Sequence, residues 1–197
     1  MYLWQNFSME ESYSVLFNTI AKKVELSPSD IDLIRSVFKY VEYPGGQKLI
    51  KPGEVATKVF FISSGSMRLY HDAPDEKTLF IFLEGLFAGA YDSFLHQTPC
   101  EAFLETIEPV KGFTVDFKVM QTLDKNLPAW NTLQRKVAEE RYIQAQKRLK
   151  AFLKFDPRER YLEIQKYRPQ LIERIPASIL ASFMGVSSEE YQEISKD

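Results

Sequence analysis

The spacing of hydrophobic and polar positions divides the chain into four segments. From residue 8 to residue 40, apolar side chains recur at intervals of three and four positions, which predicts helices. Ser27 followed by Pro28 and Asp30 predicts the start of a second helix, because Ser is a favoured N-cap and Pro is favoured at the first helical position. The chain therefore begins with helices.

From residue 43 to residue 119 the pattern is that of a β protein. Short apolar stretches alternate with Pro-, Gly-, Ser- and Asp-rich turns at intervals of roughly ten residues, which is typical of an all-β roll or barrel. The predicted strands are 59–62, 67–70, 78–83, 103–107 and 110–115, with 72–77 as a hairpin connection.

A long helix is predicted over residues 127–153, because this stretch contains no Gly and no Pro after Pro128. Asn126 is its predicted N-cap. Its apolar stripe comprises Trp130, Leu133, Val137, Ala145, Leu149 and Phe152. The helix is longer than the roll it would cover, so we expect it to be shared between two subunits of a homodimer. The alternative is a helix that packs on its own domain.

The last segment is predicted to be helical over 158–167, 176–184 and 188–195. Residues 179–194 have the spacing of a helix-turn-helix, with small Ala181 at the helix crossing and Gly185 for a turn of positive φ. Ser187 is the predicted N-cap of the second helix, and Glu190 is its capping-box partner. A helical hairpin that does not bind DNA would satisfy the same packing.

Together these segments predict an α+β protein with three parts. We expect residues 1–123 to be a β-roll domain with N-terminal helices, 124–155 to be the connecting or dimerisation helix, and 156–197 to be a helix-turn-helix domain.

Composition excludes several classes. The 197 residues are 45% hydrophobic and 26% charged, as in ordinary globular proteins, and apolar runs are far shorter than the roughly 20 residues of a membrane span. The N-terminus lacks the pattern of a signal peptide, so we expect a cytoplasmic protein without membrane association. One Cys and two His exclude an internal disulfide and argue against a metal site.

Positive charge is concentrated late in the chain. Residues 134–174 hold twelve Lys and Arg against six Asp and Glu. This stretch would face phosphates if the C-terminal domain binds DNA, and Lys154 and Arg158 are candidate backbone contacts. The alternative is a solvated helix face. No G-x-S-x-G or phosphate-cradling glycine loop is present, so we do not expect an enzyme.

The motifs resemble those of the Crp/Fnr superfamily of transcription regulators over nearly the whole chain. The stretches that carry this resemblance are Lys-Pro-Gly-Glu at 51–54, Phe-Phe-Ile-Ser-Ser-Gly-Ser-Met-Arg-Leu-Tyr at 60–70, Pro-Arg-Glu-Arg-Tyr at 157–161, Arg-Ile-Pro at 174–176 and Ala-Ser-Phe-Met-Gly-Val at 181–186. The resemblance implies a double-stranded β-helix, jelly-roll-like and similar to cyclic-nucleotide-binding domains. It also implies a homodimer, a small-molecule effector, and DNA as partner.

The chain departs from the phosphate-binding cassette of that family. The family's Gly-Glu-Leu triplet falls on Gly89, Ala90 and Tyr91, and its Arg-Ser pair falls on Cys100 and Glu101. A carboxylate about 4 Å from a phosphate repels it by roughly 4 kcal/mol at an effective dielectric of 20. We therefore expect no cyclic-nucleotide cofactor. The candidate effector pocket, suited to an apolar or uncharged ligand, comprises Phe82, Gly89, Ala90, Tyr91, Cys100, Glu101 and Phe103. The alternative is a packed interior.

The predicted DNA-reading helix also departs from the family. Ser188 and Glu193 occupy positions where DNA-binding members carry Arg, and residues 175–197 hold one Lys against four acidic residues. The candidate DNA contacts in this helix are Ser187, Ser188, Glu189 and Gln192. Sequence-specific DNA binding is the leading interpretation. The alternative is an interaction or signalling protein that keeps the fold but has lost DNA binding.

Overall fold

Two capped helices precede the sheets in the computed structural model, which describes residues 7–72 and 75–196. They are α1 (Met9–Ala21) and α2 (Pro28–Val37). Ser27 Oγ accepts a hydrogen bond from the Asp30 N–H at 3.2 Å, and the Ser27 N–H donates to Asp30 Oδ2 at 2.9 Å. The predicted cap of α2 is therefore confirmed.

Within residues 7–72 and 75–196, eight strands form two four-stranded antiparallel sheets. They are β1 (Lys39–Tyr43), β2 (Lys48–Ile50), β3 (Lys58–Ser64), β4 (Met67–His71), β5 (Lys77–Phe82), β6 (Phe87–Ala88), β7 (Phe103–Thr106) and β8 (Val110–Asp116). The strand order is β1-β8-β3-β6 in one sheet and β2-β7-β4-β5 in the other, so β5 is an edge strand. The five predicted strands are all present. The first, second and sixth strands were not predicted, and residues 73 and 74 of the predicted connection lie outside the described residues.

The main core lies between the sheets and the helices packed on them. Phe61, Phe113 and Trp130 are among its largest fully buried side chains. The Trp130 ring meets Phe38 edge-on, with ring centroids 5.6 Å apart, so the long helix contributes directly to the core of the roll.

Helix α3 (Tyr91–His96) lies between β6 and β7, and helices α4 (Phe117–Asn126) and α5 (Pro128–Lys154) follow the last strand of the roll. Asn126 does not cap α5, contrary to the prediction. It is the last residue of α4, and its Nδ2 donates to the Thr122 carbonyl at 2.8 Å. The N-cap position of α5 is occupied by Leu127, which makes no side-chain capping bond. Pro128, at the first helical position, has no N–H group that would need a hydrogen-bond partner.

Four short helices close the chain: α6 (Pro157–Tyr167), α7 (Pro169–Arg174), α8 (Ala177–Met184) and α9 (Ser188–Ile194). They enclose a second, smaller core that includes Tyr161, Leu171, Leu180 and Met184, together with Ile81 of the roll. The seventh helix was not predicted. Within the described ranges, no helix is both long and apolar enough to cross a membrane.

Candidate functional site

A cavity of about 460 Å³ lies inside the roll, between strands of both sheets and the first part of α5. Most of its lining is apolar. The apolar side chains are Val59, Leu69, Leu79, Phe80, Phe82, Phe87, Ala88, Cys100, Ala102, Met120, Trp130, Leu133, Val137 and Ala138. A hollow of this size and lining suits a small apolar ligand.

Few polar groups line the cavity, and among the residues that the structure describes Arg141 is the one arginine or lysine in the lining. Its Nη2 donates to the Phe87 carbonyl at 2.8 Å, and its guanidinium carbon lies 5.0 Å from the centre of the Phe82 ring. Burial, assisted by the positive charge of Arg168, lowers the pKa of Arg141 to about 10. No carboxylate of the described chain forms an ion pair with Arg141. The other polar lining residues are His71, Asp92, Glu101 and Gln134.

Five of the seven predicted pocket residues line this cavity: Phe82, Gly89, Tyr91, Cys100 and Glu101. Tyr91 and Glu101 are exposed and therefore lie at its mouth. Cys100 is buried, its Sγ is 3.1 Å from the Ala102 carbonyl, and burial raises the pKa of its thiol. A thiol in this state is a poor nucleophile.

The other two predicted pocket residues lie elsewhere. Ala90 is fully buried at the start of α3, where its carbonyl accepts from the Phe94 N–H at 2.9 Å. Phe103 stacks on Tyr70 with ring centroids 5.2 Å apart, and Lys48 Nζ lies 4.4 Å from its ring centre. Neither residue lines the cavity, because one begins a helix and the other packs on a neighbouring strand.

Residues of α5 form a wall of the cavity that sequence reasoning missed. Trp130, Leu133 and Val137 were assigned to a dimer interface, yet Trp130 and Leu133 are buried in the roll of the same chain and Val137 packs against it. This corrects the prediction for the first half of the helix. The short loop between α4 and α5 folds the helix back onto the roll, which the apolar stripe alone did not reveal.

The second half of α5 exposes a different apolar stripe. Tyr142, Leu149 and Leu153 are 65%, 61% and 77% exposed, and with Gln146 they follow spacings of four, three and four residues. Ala145 is also exposed. The Phe152 side chain points away from this stripe, towards α6 and Gly185. The Arg160 guanidinium lies 4.8 Å from its ring centre, and a Cβ atom added to Gly185 would come within 2.9 Å of its ring edge.

The last two helices meet at a tight turn. Gly185 has φ of 71°, a conformation that favours glycine, and it separates α8 from α9. Ser187 Oγ accepts from the Glu190 N–H at 3.1 Å, so Ser187 caps α9 as predicted. Tyr191 is buried and packs edge-on to Tyr161, which fixes α9 against α6.

The remaining candidate DNA-contact residues have different environments. Ser188, Glu189 and Gln192 are exposed on α9, and Lys154 is exposed at the end of α5. Arg158 is half-buried, and its Nη1 donates to the Ile194 carbonyl at the end of α9. Arg158 therefore holds α9 to α6, so its guanidinium is already engaged within the protein.

The C-terminal helices contact the edge strand of the roll. The Thr78 N–H of β5 donates to Ser182 Oγ of α8 at 2.8 Å, and Ser182 Oγ donates to the Glu76 carbonyl at 2.9 Å. Arg148 of α5 donates to the carbonyls of Thr78 and Phe183, both through Nη2, at 2.9 and 2.8 Å. Arg148 thus joins α5, β5 and α8, and burial together with Arg168 lowers its pKa to about 10.

A cluster of ion pairs forms a second link between the roll and the C-terminal helices. Arg174 Nη2 lies 2.7 Å from Glu84 Oε1 and 2.7 Å from Glu108 Oε2, and Nη1 lies 2.9 Å from Glu84 Oε2. These bonds, outweighing the cost of burial, raise the pKa of Arg174. The first link holds α8 on the edge of the sheet, and the second holds the end of α7 against the roll.

Comparison with known proteins agrees with this architecture. Residues 40–125 match the family model described as "Cyclic nucleotide-binding domain". The chain resembles the c-di-GMP responsive global regulator CLP of Xanthomonas campestris, with 19% identity and a TM-score of 0.70 over 86% of this chain and 90% of that one. No curated protein sequence matches the chain.

Two further structures extend the likeness beyond the matched domain. The catabolite activator protein of Thermus thermophilus is 21% identical, with a TM-score of 0.55 over 87% of this chain and 83% of that one. A Eubacterium rectale protein assigned to the crp/fnr family of transcriptional regulators is 12% identical, with a TM-score of 0.69 over 93% and 86%. The roll and the helices that follow it therefore share the fold of Crp/Fnr regulators.

Proposed function

We propose that the protein is a transcription regulator of the Crp/Fnr type, which binds DNA through α8 and α9 and responds to a small molecule in the cavity. One observation carries the proposal: α5 runs from the cavity to the C-terminal helices. Trp130 and Arg141 line the cavity, and Arg148, two turns further on, bonds the backbone of α8. A ligand that prefers one position of α5 would therefore shift the position of α8 and α9.

The helical pair at the C-terminus supports DNA binding. The tight turn at Gly185 joins α8 to α9, and the start of α9 is capped and exposed, as a recognition helix would need to be to enter the major groove. Ser188, Glu189 and Gln192 would meet base edges or phosphates, and Lys154 would contact the DNA backbone.

We propose that the effector is mainly apolar and is not a cyclic nucleotide. The residues at the cassette positions supply one carboxylate, Glu101, where a phosphate would need a positive partner. In calorimetry, cyclic AMP and cyclic GMP are expected to release no heat of binding. Heat that is present with the native chain and lost in Tyr91→Ala would overturn this part of the proposal.

A homodimer is the second element of the proposed function. Tyr142, Gln146, Leu149 and Leu153 have the four-three-four spacing of a coiled-coil seam and lie on the exposed half of α5. Two copies of this helix side by side would bury these residues. The seam differs from the predicted one, with which it shares only Leu149.

Selection from a random pool of DNA duplexes tests the whole proposal. The bound fraction is expected to be enriched in an inverted repeat whose half-sites lie about one helical turn, 10–10.5 base pairs, apart, as for dimeric helix-turn-helix proteins. Enrichment of no sequence would contradict sequence-specific binding.

A specific observation favours the alternative, a protein-interaction module. Glu189, Glu190 and Glu193 are all exposed on α9, and acidic side chains weaken binding to phosphates. An acidic helix end of this kind suits a basic protein surface. If the duplex selection enriches no sequence, this alternative replaces DNA binding.

A further inference from the structure

A second hollow, separate from the cavity of the roll, lies between the second half of α5, helices α6 and α7, and the turn after β5. Its volume is about 930 Å³. We call it the basic groove. Its aromatic walls are Phe152, Phe155, Tyr167 and Phe183.

The charges that line the basic groove are strongly unequal. Six cationic side chains face two carboxylates, those of Glu84 and Glu163. Glu84 is already engaged by Arg174, at 2.7 and 2.9 Å, and it shares this arginine with Glu108. The six cationic residues are Lys147, Arg148, Lys150, Lys154, Arg160 and Arg168.

Two arginines in the groove have donors without partners. Arg168 is half-buried, and no side-chain hydrogen bond, ion pair or ring contact engages its guanidinium within the described ranges 7–72 and 75–196. Arg160 donates from Nη1 to the Phe155 carbonyl at 3.0 Å, but its Nε is buried with no hydrogen-bond partner among those residues. Unpartnered donors and an unbalanced charge are costly once removed from water.

Arg168 also acts on its neighbours. Its positive charge contributes to lowering the pKa values of both Arg141 and Arg148, after the larger effect of their burial. Arg168 is therefore close enough to repel both of these arginines of α5. An anion at this place would relieve the repulsion and supply the missing acceptors.

We propose that the basic groove binds a small phosphorylated ligand, with its phosphates on Arg160 and Arg168 and its flat or apolar part on Phe152 and Tyr167. Guanidinium groups bind phosphate oxygens in pairs, which favours phosphate over a single carboxylate. Both arginines are half-buried in the groove, which favours a small ligand over the backbone of duplex DNA. The proposal does not depend on DNA binding by α9.

Calorimetry on the full chain at low ionic strength tests the proposal with three probes: pyrophosphate, ADP and adenosine. Pyrophosphate and ADP are expected to bind, with ADP tighter because its base adds aromatic contact, and adenosine is expected to release no heat. Arg168→Gln should weaken ADP binding about tenfold, since a charge-assisted bond is lost. The matched control Arg135→Gln removes the same charge from a 61% exposed position on α5 outside the groove, and it should leave the affinity unchanged.

Thermal unfolding without ligand provides a second measurement. Because Arg168 has no partner to lose, Arg168→Gln should keep or raise the melting temperature, which separates loss of binding from loss of folding. The proposal is overturned if neither anion binds, if adenosine binds as tightly as ADP, or if Arg135→Gln weakens binding as much as Arg168→Gln. Displacement of ADP by a short duplex of random sequence would assign the groove to DNA instead, and would also overturn it.

Discussion

The two halves of α5 have similar apolar spacing but different environments. In the first half, Trp130 and Leu133 are 2% and 1% exposed, because they pack into the roll. In the second half, Leu149 and Leu153 are 61% and 77% exposed. The same helix thus completes one core and presents a second apolar surface.

The difference shows what periodicity does and does not specify. Apolar residues at three- and four-residue spacing define a face of a helix, whereas the partner of that face depends on where the chain turns before the helix. Pro128 starts α5 directly after α4, so the first turns lie against the sheets. The second half contacts the edge strand β5 through Arg148, and it leaves Leu149 and Leu153 exposed, where the proposed second subunit would pack.

The largest expected effect lies in the buried half. Trp130→Ala should lower the free energy of unfolding by about 3–5 kcal/mol, because it leaves a cavity next to Phe38 and removes the hydrogen bond from Nε1 to Met120 Sδ at 3.0 Å. Urea denaturation followed by circular dichroism measures it.

The control for this change is Leu153→Ala in the exposed half. Measured at a concentration where the protein is monomeric, it should change the free energy of unfolding by less than about 0.5 kcal/mol. Equal losses of unfolding free energy in the two variants would contradict the difference in burial between the two halves of α5.

The second effect concerns self-association. Leu149→Ala should weaken a homodimer by about 3 kcal/mol, roughly a hundredfold in the dissociation constant, because each dimer loses two buried leucine side chains. Sedimentation velocity over a concentration series measures it. A native chain that stays monomeric throughout would contradict the proposed seam, and a dimer unaffected by the change would place the interface elsewhere.

Sequence reasoning identified the strands that carry strong alternation and the helices that carry capping residues. Strands β3, β4 and β8 combine several apolar residues with clear flanking turns. Ser27 and Ser187 are strong local signals, because a cap depends only on residues close along the chain. The short strands β2 and β6 have three and two residues, too few to show a period. Their pairing depends on distant partners.

The cavity was predicted only in part, for the same reason. Alignment with the family's cassette along the chain identified four lining residues, Gly89, Tyr91, Cys100 and Glu101. The packing of α5 brings Trp130 and Arg141 to the cavity, and the sequence does not show that packing. The excess of positive charge over residues 134–174 includes all six cationic residues of the basic groove. Which of those arginines lack partners depends on tertiary contacts that spacing does not encode.

The third effect concerns the link between the roll and the C-terminal helices. Arg174→Met removes the cation between Glu84 and Glu108 and should lower the free energy of unfolding by about 1–2 kcal/mol, less than a fully buried pair because water reaches these side chains. Urea denaturation at pH 7 measures the change, with Arg135→Gln as the control for loss of an exposed ion pair.

The ion pair between Glu84 and Arg174 should also make the stability of the protein depend on pH in the acid range. Burial alone would raise the pKa of Glu84, but the bonds from Arg174 outweigh it and hold that pKa below its ordinary value of 4.5. The stabilisation from Glu84 is therefore present above pH 4.5 and is lost as the pH falls through the lowered value. The native chain should lose more stability than Arg174→Met over this acid range, and parallel pH profiles would contradict the role of the pair.

The smallest expected effect concerns α9, and it tests whether this helix faces DNA. Glu193→Arg replaces an exposed carboxylate by a guanidinium, so general duplex affinity should rise about three- to fivefold and the salt dependence should steepen. The matched control Glu25→Arg makes the same charge change at an exposed position before α2, far along the chain from the predicted DNA contacts. A gain in both variants would reflect net charge alone. A gain in neither, in a gel-shift titration at low salt, would mean that α9 does not face the duplex, and the acidic helix would then be a surface for a protein partner.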